Sequence, residues 1–498
     1  MKNLIIFILI PVVFLMLLLS CSPAKDEGNA TDDFKANENA ESENDSANTD
    51  NKPDDIPDGI PELNFNGETV NFLYRDYMEY ETTAEAQDAE VISDAVYKRN
   101  MAVEERFNIK FNMIAVRGAW DHKDEFLKRV RNSVSAGDDD YDIIAGYSAY
   151  ILELTSGGYL NNWHEMPHVG LDKPWWYQDY ISEMTVNNNM FFLTGDLALS
   201  TISLANALFY NKELWQNYNL EDPYAIVREG NWTIDKMEEF TKQVTADLDS
   251  NGKYDENDLY GYVTDTHNQM DAYVIALDIP ITRTGADGFP ELVIHEERLS
   301  NGILRLYSFV LENVSTFAGD LQPTATDIFS MYREPVFQQK RGLILAEYLG
   351  NSEQMRSYEF DFGILPYPKL DEYQEKYKTM PQNGFTTYCV PVTVRNTEKV
   401  GAVIEAMAAE SRKSVVPAFY EVALKTKYAR DDESSEMIDI IRDGISFNFG
   451  IEYAWMLAGS HPFRTLINDK KKDVASWVEK NQPRLEKALA KILAVYEE

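Results

Sequence analysis

Residues 247–258 read DLDSNGKYDEND, with oxygen-bearing side chains at alternate positions around a single glycine. Counting Asp247 as position 1, Asp249 and Asn251 fall at 3 and 5, Gly252 at 6, Lys253 at 7, Asp255 at 9 and Asp258 at 12. That register suits calcium. Carboxylate and amide oxygens surround a large hard cation, the glycine permits a sharp turn, and position 7 lends only its backbone carbonyl. Many oxygen ligands on a flexible loop favour calcium over the smaller magnesium. One position departs from the pattern, since Asp258 stands where a longer Glu normally supplies both carboxylate oxygens. Without metal the stretch reads as an acidic turn. The register occurs once in the chain, so the expected role is a structural staple and not a paired-loop sensor.

Other chemistry is poorly represented. No GxxxxGK[ST] stretch is present, and no glycine fingerprint for a dinucleotide follows a strand. His164 and His168 are four apart but lack the glutamate of a HExxH zinc helix, and they read as loop residues flanking Pro167. Cys389 lies in the apolar run TTYCVPVTV and reads as a buried, inert thiol. Net charge is −37, with 83 acidic against 46 basic residues, which opposes binding to a phosphate backbone. Nucleic acid is therefore excluded as a partner.

The elements that must position these groups follow from the N-terminus onward. A lysine, an apolar run from Leu4 to Leu19 and the small residues Ser20 and Cys21 read as a signal peptide over 1–20. The phrase LLSC resembles the lipobox of bacterial lipoproteins and implies lipidation at Cys21, with an uncleaved anchor as the alternative. Residues 21–60 are acidic, polar and nearly free of apolar side chains, and are expected to form a disordered tether. Beyond it the spacing predicts a strand at ETVNFLYR, a helix through ISDAVYKRNMAVEERF, a strand at NIKFNMIAV, a helix at DEFLKRVRNSVSAG and a buried strand at YDIIAG. Strands alternating with helices predict α/β layers around a parallel sheet, with ligands at the carboxyl ends of strands, beside Tyr147 in this case. Further α/β runs surround ALFYNKELW, FQQKRGLILAEYLG and YEFDFGILPYP. MPQNGFTTYCVPVTV reads as a crossing strand, and the last residues, from DVASWVEK onward, as a helix.

Taken in order, VYKRNMAVEERFNIKF, YDIIAG, DKPWW, GDLALS, ALFYNKELW, NWTIDKMEEF, DSNGKYDENDLYGY, DFGILPYPK and PAFYEVALKTKYARD resemble a known group. It is family 1, the carbohydrate type, of the extracellular solute-binding proteins of ABC importers, in the lipoprotein form of Gram-positive bacteria. The most telling phrase is FYNKELW, after an irregular crossing and before the helix start WTIDKM. The resemblance implies an α/β, bilobal, periplasmic-binding-protein-like fold, with two discontinuous α/β lobes joined by a hinge that closes on ligand. It places crossings near 195–206 and 381–387, with a third later. One lobe is then 65–195 plus 385–430 and the other 205–380 plus 431–498. The resemblance also implies that Glu256, at position 10, takes the bidentate role.

The function implied is a non-enzymatic one. The chain would be a monomer held on the extracellular face of the membrane through Cys21, binding a sugar and passing it to ABC permease subunits. Sugars are recognised by aromatic faces and by side chains that make several hydrogen bonds. Where the lobes should face one another, the candidates are Tyr147, Trp176, Asp196, Tyr348, Asn383, Tyr453 and Trp455. Each competes with a plain core role, whereas Trp232 reads as packing before the helix cap Thr233. The rival readings are a surface glycoside hydrolase with paired carboxylates, a binder of a non-carbohydrate solute, and a ligand-presenting sensor.

Overall fold

Strand β1 (Glu68–Arg75) forms where ETVNFLYR alternates out of solvent at Val70 and then becomes buried on both faces from Phe72 onward. In the computed structural model the described residues are 56–84, 90–321, 333–420, 431–457 and 461–497, all within the unit Pro53–Glu498. The signal peptide, Cys21 and nearly all of the expected tether lie outside them. Among the described residues no helix is long and apolar enough to cross a membrane.

The helix Val91–Phe107 buries Val96, Val103 and Phe107 along one stripe and ends where Asn108 turns left-handed at φ 50°. That turn feeds β2 (Ile109–Val116), which pairs parallel to β1 with Val70 opposite Phe111. A second helix, Lys123–Ala136, leads through the left-handed Gly137 to β3 (Ile143–Tyr147), parallel to β1 on its other side. Each crossover packs an apolar helical stripe over the sheet, as a parallel βαβ unit requires.

The second sheet contains β4 (Asn206–Asn211), β5 (Tyr260–Thr264), β8 (Thr316–Ala318), β9 (Gly342–Tyr348) and β10 (Phe362–Leu365), in the order β10-β4-β9-β5-β8. A separate small hairpin, β6 (Thr282–Thr284) with β7 (Pro290–Leu292), lies between β5 and β8 in the chain. The first sheet is completed by β11 (Thr386–Cys389), antiparallel to β3. Both sheets are thus mixed, where the alternation of strands and helices predicted parallel pairing. The exceptions share a cause. β4 and β11 are each entered from a crossing and not through a helix of their own sheet, so they run against their neighbours.

The crossings are zipped to each other. Asn206 N–H donates to Met380 O (3.1 Å) and Gln382 N–H to Leu204 O (2.8 Å), with Ala205 opposite Pro381. A later segment adds a second tie. Asp179 and Glu183, one turn apart on the helix Gln178–Met184, accept the backbone N–H groups of Phe447 (2.7 Å) and Phe449 (2.9 Å). Between those two residues, Asn448 bonds the backbone of Ile281 and Thr282 at the hairpin.

The core holds carboxyl groups that water does not reach. Burial pushes Glu452, which accepts from Ser148 Oγ (2.8 Å), up to about 7, and Glu405, which accepts from Trp176 Nε1 (2.9 Å), likewise up to about 7. A carboxyl raised on folding binds its proton more tightly in the native state, so its stabilisation is complete below the unfolded value near 4.5. It is lost as pH rises through about 7. Each group is worth roughly 3 kcal/mol on that scale. The melting temperature should therefore fall between pH 5 and pH 8. Glu452→Gln, which keeps the acceptor for Ser148 without a titrating proton, should flatten that fall when melting is followed by circular dichroism.

Candidate functional site

The carboxyl ends of strands from both sheets open onto one cavity of about 540 Å³. Tyr147 ends β3, Tyr348 ends β9, and Asn268 begins the helix Asn268–Ala276 just after β5. Trp120 stands in the loop after β2, while Gln382 and Asn383 come from the second crossing and Trp455 and Arg464 from the C-terminal segments. Parallel strands of both sheets thus deliver their ends to the same place, where backbone groups and loop side chains are free to meet a ligand.

The apolar part of the wall is aromatic. The rings of Trp120 and Trp455 lie 4.6 Å apart between centroids, and Trp120 and Tyr147 lie 5.9 Å apart. Both indoles keep more than a third of their surface in solvent, 37% for Trp120 and 40% for Trp455, although the buried tryptophans of this chain are sealed almost completely. Large flat faces left open beside one another are the signature of a surface awaiting a ligand with a flat apolar side.

Behind Tyr147 the wall is fixed by a buried cation. Arg75, at the end of β1 and fully sequestered, donates from Nη1 to Gly384 O (2.7 Å) and Tyr77 Oη (2.8 Å), and from Nη2 to Thr386 Oγ1 (2.6 Å). Its guanidinium carbon sits 5.3 Å from the centre of the Tyr147 ring. Thr386 Oγ1 in turn donates to Glu81, whose other oxygen accepts the Ser200 N–H (2.6 Å). One network therefore holds β1, the first crossing and the second. The Arg75 stem also requires Gly118, where a Cβ would lie 2.4 Å from Arg75 Cγ, below the loop that presents Trp120.

On the opposite side Arg464 is held by Asp271 through both Nε (3.3 Å) and Nη2, and Nη2 also donates to Asn268 Oδ1 (3.0 Å). Burial alone would raise the Asp271 carboxyl, but His461 and Arg464 outweigh it and hold the group below the usual carboxylate value.

Of the residues expected from the sequence, Tyr147, Tyr348, Asn383 and Trp455 come together on this wall. Trp176, Asp196 and Tyr453 do not. Trp176 is 2% exposed and spends its indole N–H on Glu405. Asp196 is buried against Arg412 Nη1 (2.9 Å), with burial pushing its carboxyl up to about 6. Tyr453 is fully buried, its hydroxyl bonded to Tyr496 (2.6 Å) and Thr155 (3.1 Å). All three have partners that satisfy them within the core. Trp120, Asn268, Gln382 and Arg464 were not anticipated, although the strand-end rule that selects Tyr147 reaches Trp120 and Asn268 as well. Trp232 packs as expected, with Nε1 on Pro366 O (2.9 Å).

A second cavity of about 400 Å³ lies beside Asp179, Glu183, Asp278 and Lys378. Its acids grip backbone N–H groups, and Lys378 pairs with Asp278 (2.7 Å), so its charges serve the fold.

The acidic loop follows the helix Ile234–Val244. Asp247, Asp249 and Asp258 bring carboxylate oxygens within 4.8 Å of one another, an arrangement that fits a cation. Gly252 takes the positive φ, 76°, that the turn demands. Asp258 is fully buried and anchors the loop through the Leu248 N–H (2.8 Å) and Asp255 N–H (2.9 Å). Among the expected ligands, Asn251 Oδ1 accepts the Lys253 N–H (2.7 Å) and Asp255 Oδ1 the Asn257 N–H (2.9 Å). Glu256 is exposed and outside the converging group, so position 12, not position 10, supplies its buried carboxylate.

No protein-family model and no curated protein matches the chain by sequence. Solved structures do match its fold. An ABC substrate-binding protein from Listeria monocytogenes, in complex with cycloalternan, aligns over 86% of this chain and 99% of its own at 12% identity, with a TM-score of 0.51. UspC of M. tuberculosis aligns over 86% and 100% at 12% identity, with a TM-score of 0.52. A cyclo/maltodextrin-binding protein complexed with maltotetraose aligns over 86% and 96% at 11% identity, with a TM-score of 0.53. Identities this low speak to architecture: the chain has an α/β, bilobal, periplasmic-binding-protein-like fold.

Proposed function

We propose that the chain is the extracellular binding component of an ABC importer, taking a saccharide between its lobes and presenting it to permease subunits. The observation that carries this reading is the wall of Trp120, Tyr147 and Trp455 around the cavity where strand ends of both sheets meet. Pyranose rings offer flat C–H faces that stack on such rings, and their equatorial hydroxyls reach amides and guanidinium at the edge. That two of the structural neighbours hold oligosaccharides supports the same class. Lipidation at Cys21 would keep the binding body at the membrane surface next to the permease. A surface glycoside hydrolase is the competing reading, and it needs two carboxylates facing each other across the sugar bond. The absence of any carboxylate from the cavity lining among the described residues favours binding without turnover.

A thermal-shift screen of the chain against neutral and charged mono- and oligosaccharides tests the proposal. One class should raise the melting temperature saturably, by about 2.7 kcal/mol of added stability at a hundredfold excess over Kd. Trp455→Ala should weaken that ligand about tenfold, ~1.4 kcal/mol, with the unliganded melting temperature little changed because the ring is half exposed. If no saccharide shifts the melt, the reading fails.

The loop at 247–258 is the proposed calcium site, with Asp247, Asp249, Asn251, Asp258 and the Lys253 carbonyl as ligands and Asp255 at the outer position. The ion would clamp the chain between the helix Ile234–Val244 and β5, adding stability and no chemistry. Calorimetry of chelator-treated protein should register calcium binding, and chelation should lower the melting temperature. Asp258→Asn should abolish both effects. A silent titration with an unchanged melt would remove calcium from the account.

A further inference from the structure

The hydrogen-bonding character of the cavity wall can be worked out group by group. Gly384 N–H donates to Gln382 Oε1 (2.8 Å), and because a backbone N–H can only donate, this fixes the orientation of the Gln382 amide. Its Nε2 is then turned to Asn383 Oδ1 (2.8 Å) and Tyr147 Oη (3.4 Å). Asn383 Oδ1 also accepts from the Tyr147 hydroxyl (3.3 Å). On the other side Arg464, which can only donate, forces Asn268 to offer Oδ1. Every side-chain amide oxygen on the wall thereby already accepts at least one hydrogen bond from the protein itself. Among the amide and guanidinium groups of the wall, Nδ2 of Asn268, Nδ2 of Asn383 and Nη1 of Arg464 have no hydrogen-bond partner within the described residues, and all three are donors. No carboxylate lines the cavity, in a chain whose net charge is −37.

Such a wall serves the lone pairs of ligand hydroxyls but offers few acceptors for their hydrogens. Each buried hydroxyl brings a donor hydrogen as well as lone pairs, and a donor that loses water without gaining an acceptor is costly. Carboxylates on a sugar cleft serve that need by accepting from paired hydroxyls, and this cleft has none. A ligand carboxylate reverses the balance. It brings two acceptor-only oxygens, and hydrogen bonds to it from a guanidinium and amide N–H groups are charge-assisted.

We infer that the cleft selects uronate-type saccharides, whose rings stack on Trp120, Tyr147 and Trp455 while a carboxylate is received by Arg464 Nη1 and the amide N–H groups of Asn268 and Asn383. This rests on the saccharide reading and names the class of sugar. Asp271 is the positioning residue. It takes two of the guanidinium's nitrogens, leaves Nη1 as the nitrogen available to ligand, and holds the cation in place. The acidity of the chain as a whole repels anions, so selectivity for one has to come from contact groups of this kind.

The test compares each acid with its own neutral form. Calorimetry on the full chain in detergent would use trigalacturonate, trimannuronate and a glucuronate-containing trisaccharide, each beside its methyl ester, with galactotriose and maltotriose as neutral controls. For the acid that binds, Kd should be at least 30-fold below that of its ester. Arg464→Gln should remove most of that ratio, weakening the acid far more than its ester, because only the acid loses a charge-assisted hydrogen bond. Because the single variant leaves Asp271 buried without its cation, the double variant Arg464→Gln/Asp271→Asn, which preserves hydrogen bonding without charge, provides a folded comparison. Neutral trisaccharides binding as tightly as the acids, or binding when no acid does, would overturn the inference and leave the saccharide reading intact. If no saccharide of either kind binds, both fall together.

Discussion

The geometry of the site depends on the sequestered guanidinium of Arg75. It carries the end of β1, the loop of the second crossing through Gly384 and Thr386, and the back of the Tyr147 ring, and through Thr386 it reaches Glu81 and the first crossing. A buried charge held by oriented partners admits few alternative arrangements, because a buried donor left without its acceptor costs about 1–3 kcal/mol, and more when charged. The crossings between the sheets are for that reason not loose linkers. They are pinned at one point, and the aromatic platform of the cavity is pinned at the same point.

How much of this could be read from the chain depends on how local each cause is. β1, β2 and the helices after them were legible because burial alternation and the helical stripe lie within a dozen residues, as in ETVNFLYR and the run ending at Phe107. The reversed direction of β4 and β11 was not, since direction follows from where the preceding segment comes from and not from side-chain pattern. The acidic loop was legible as a tight turn of converging carboxylates for the same local reason, but the burial of Asp258 with Glu256 left exposed depended on which one the start of β5 covers.

The cleft divides along the same line. Tyr147 was named through its strand end, a rule that depends on architecture alone, and Tyr348 through the expected facing of the lobes; both line the cavity. Trp176, Asp196 and Tyr453 were misplaced because an aromatic or an acid near a crossing is indistinguishable from a core residue until its partner is known. The partners Glu405, Arg412 and Tyr496 lie far along the chain. Arg464 gives no sign in HPFRTLIND, because its orientation toward the cavity is imposed by Asp271, in another helix.

The C-terminal segments explain why the cavity cannot belong to one lobe. Glu452 and Tyr453 are bound to Ser148 and Thr155, beside β3, and Phe447 and Phe449 are gripped by the helix Gln178–Met184. A few residues on, Arg464 is bound to Asn268 and Asp271, beyond β5 of the other sheet. Trp455 lies between these anchorages and closes against Trp120. A rotation of one sheet against the other would separate Trp455 and Trp120 from Arg464 and Asn268, so the aromatic and guanidinium parts of the wall come together in one arrangement of the lobes. A ligand that uses both halves of the wall stabilises that arrangement by the sum of its contacts, and one that uses only half does not. Differential affinity of this kind is what couples occupancy to closure in a hinge.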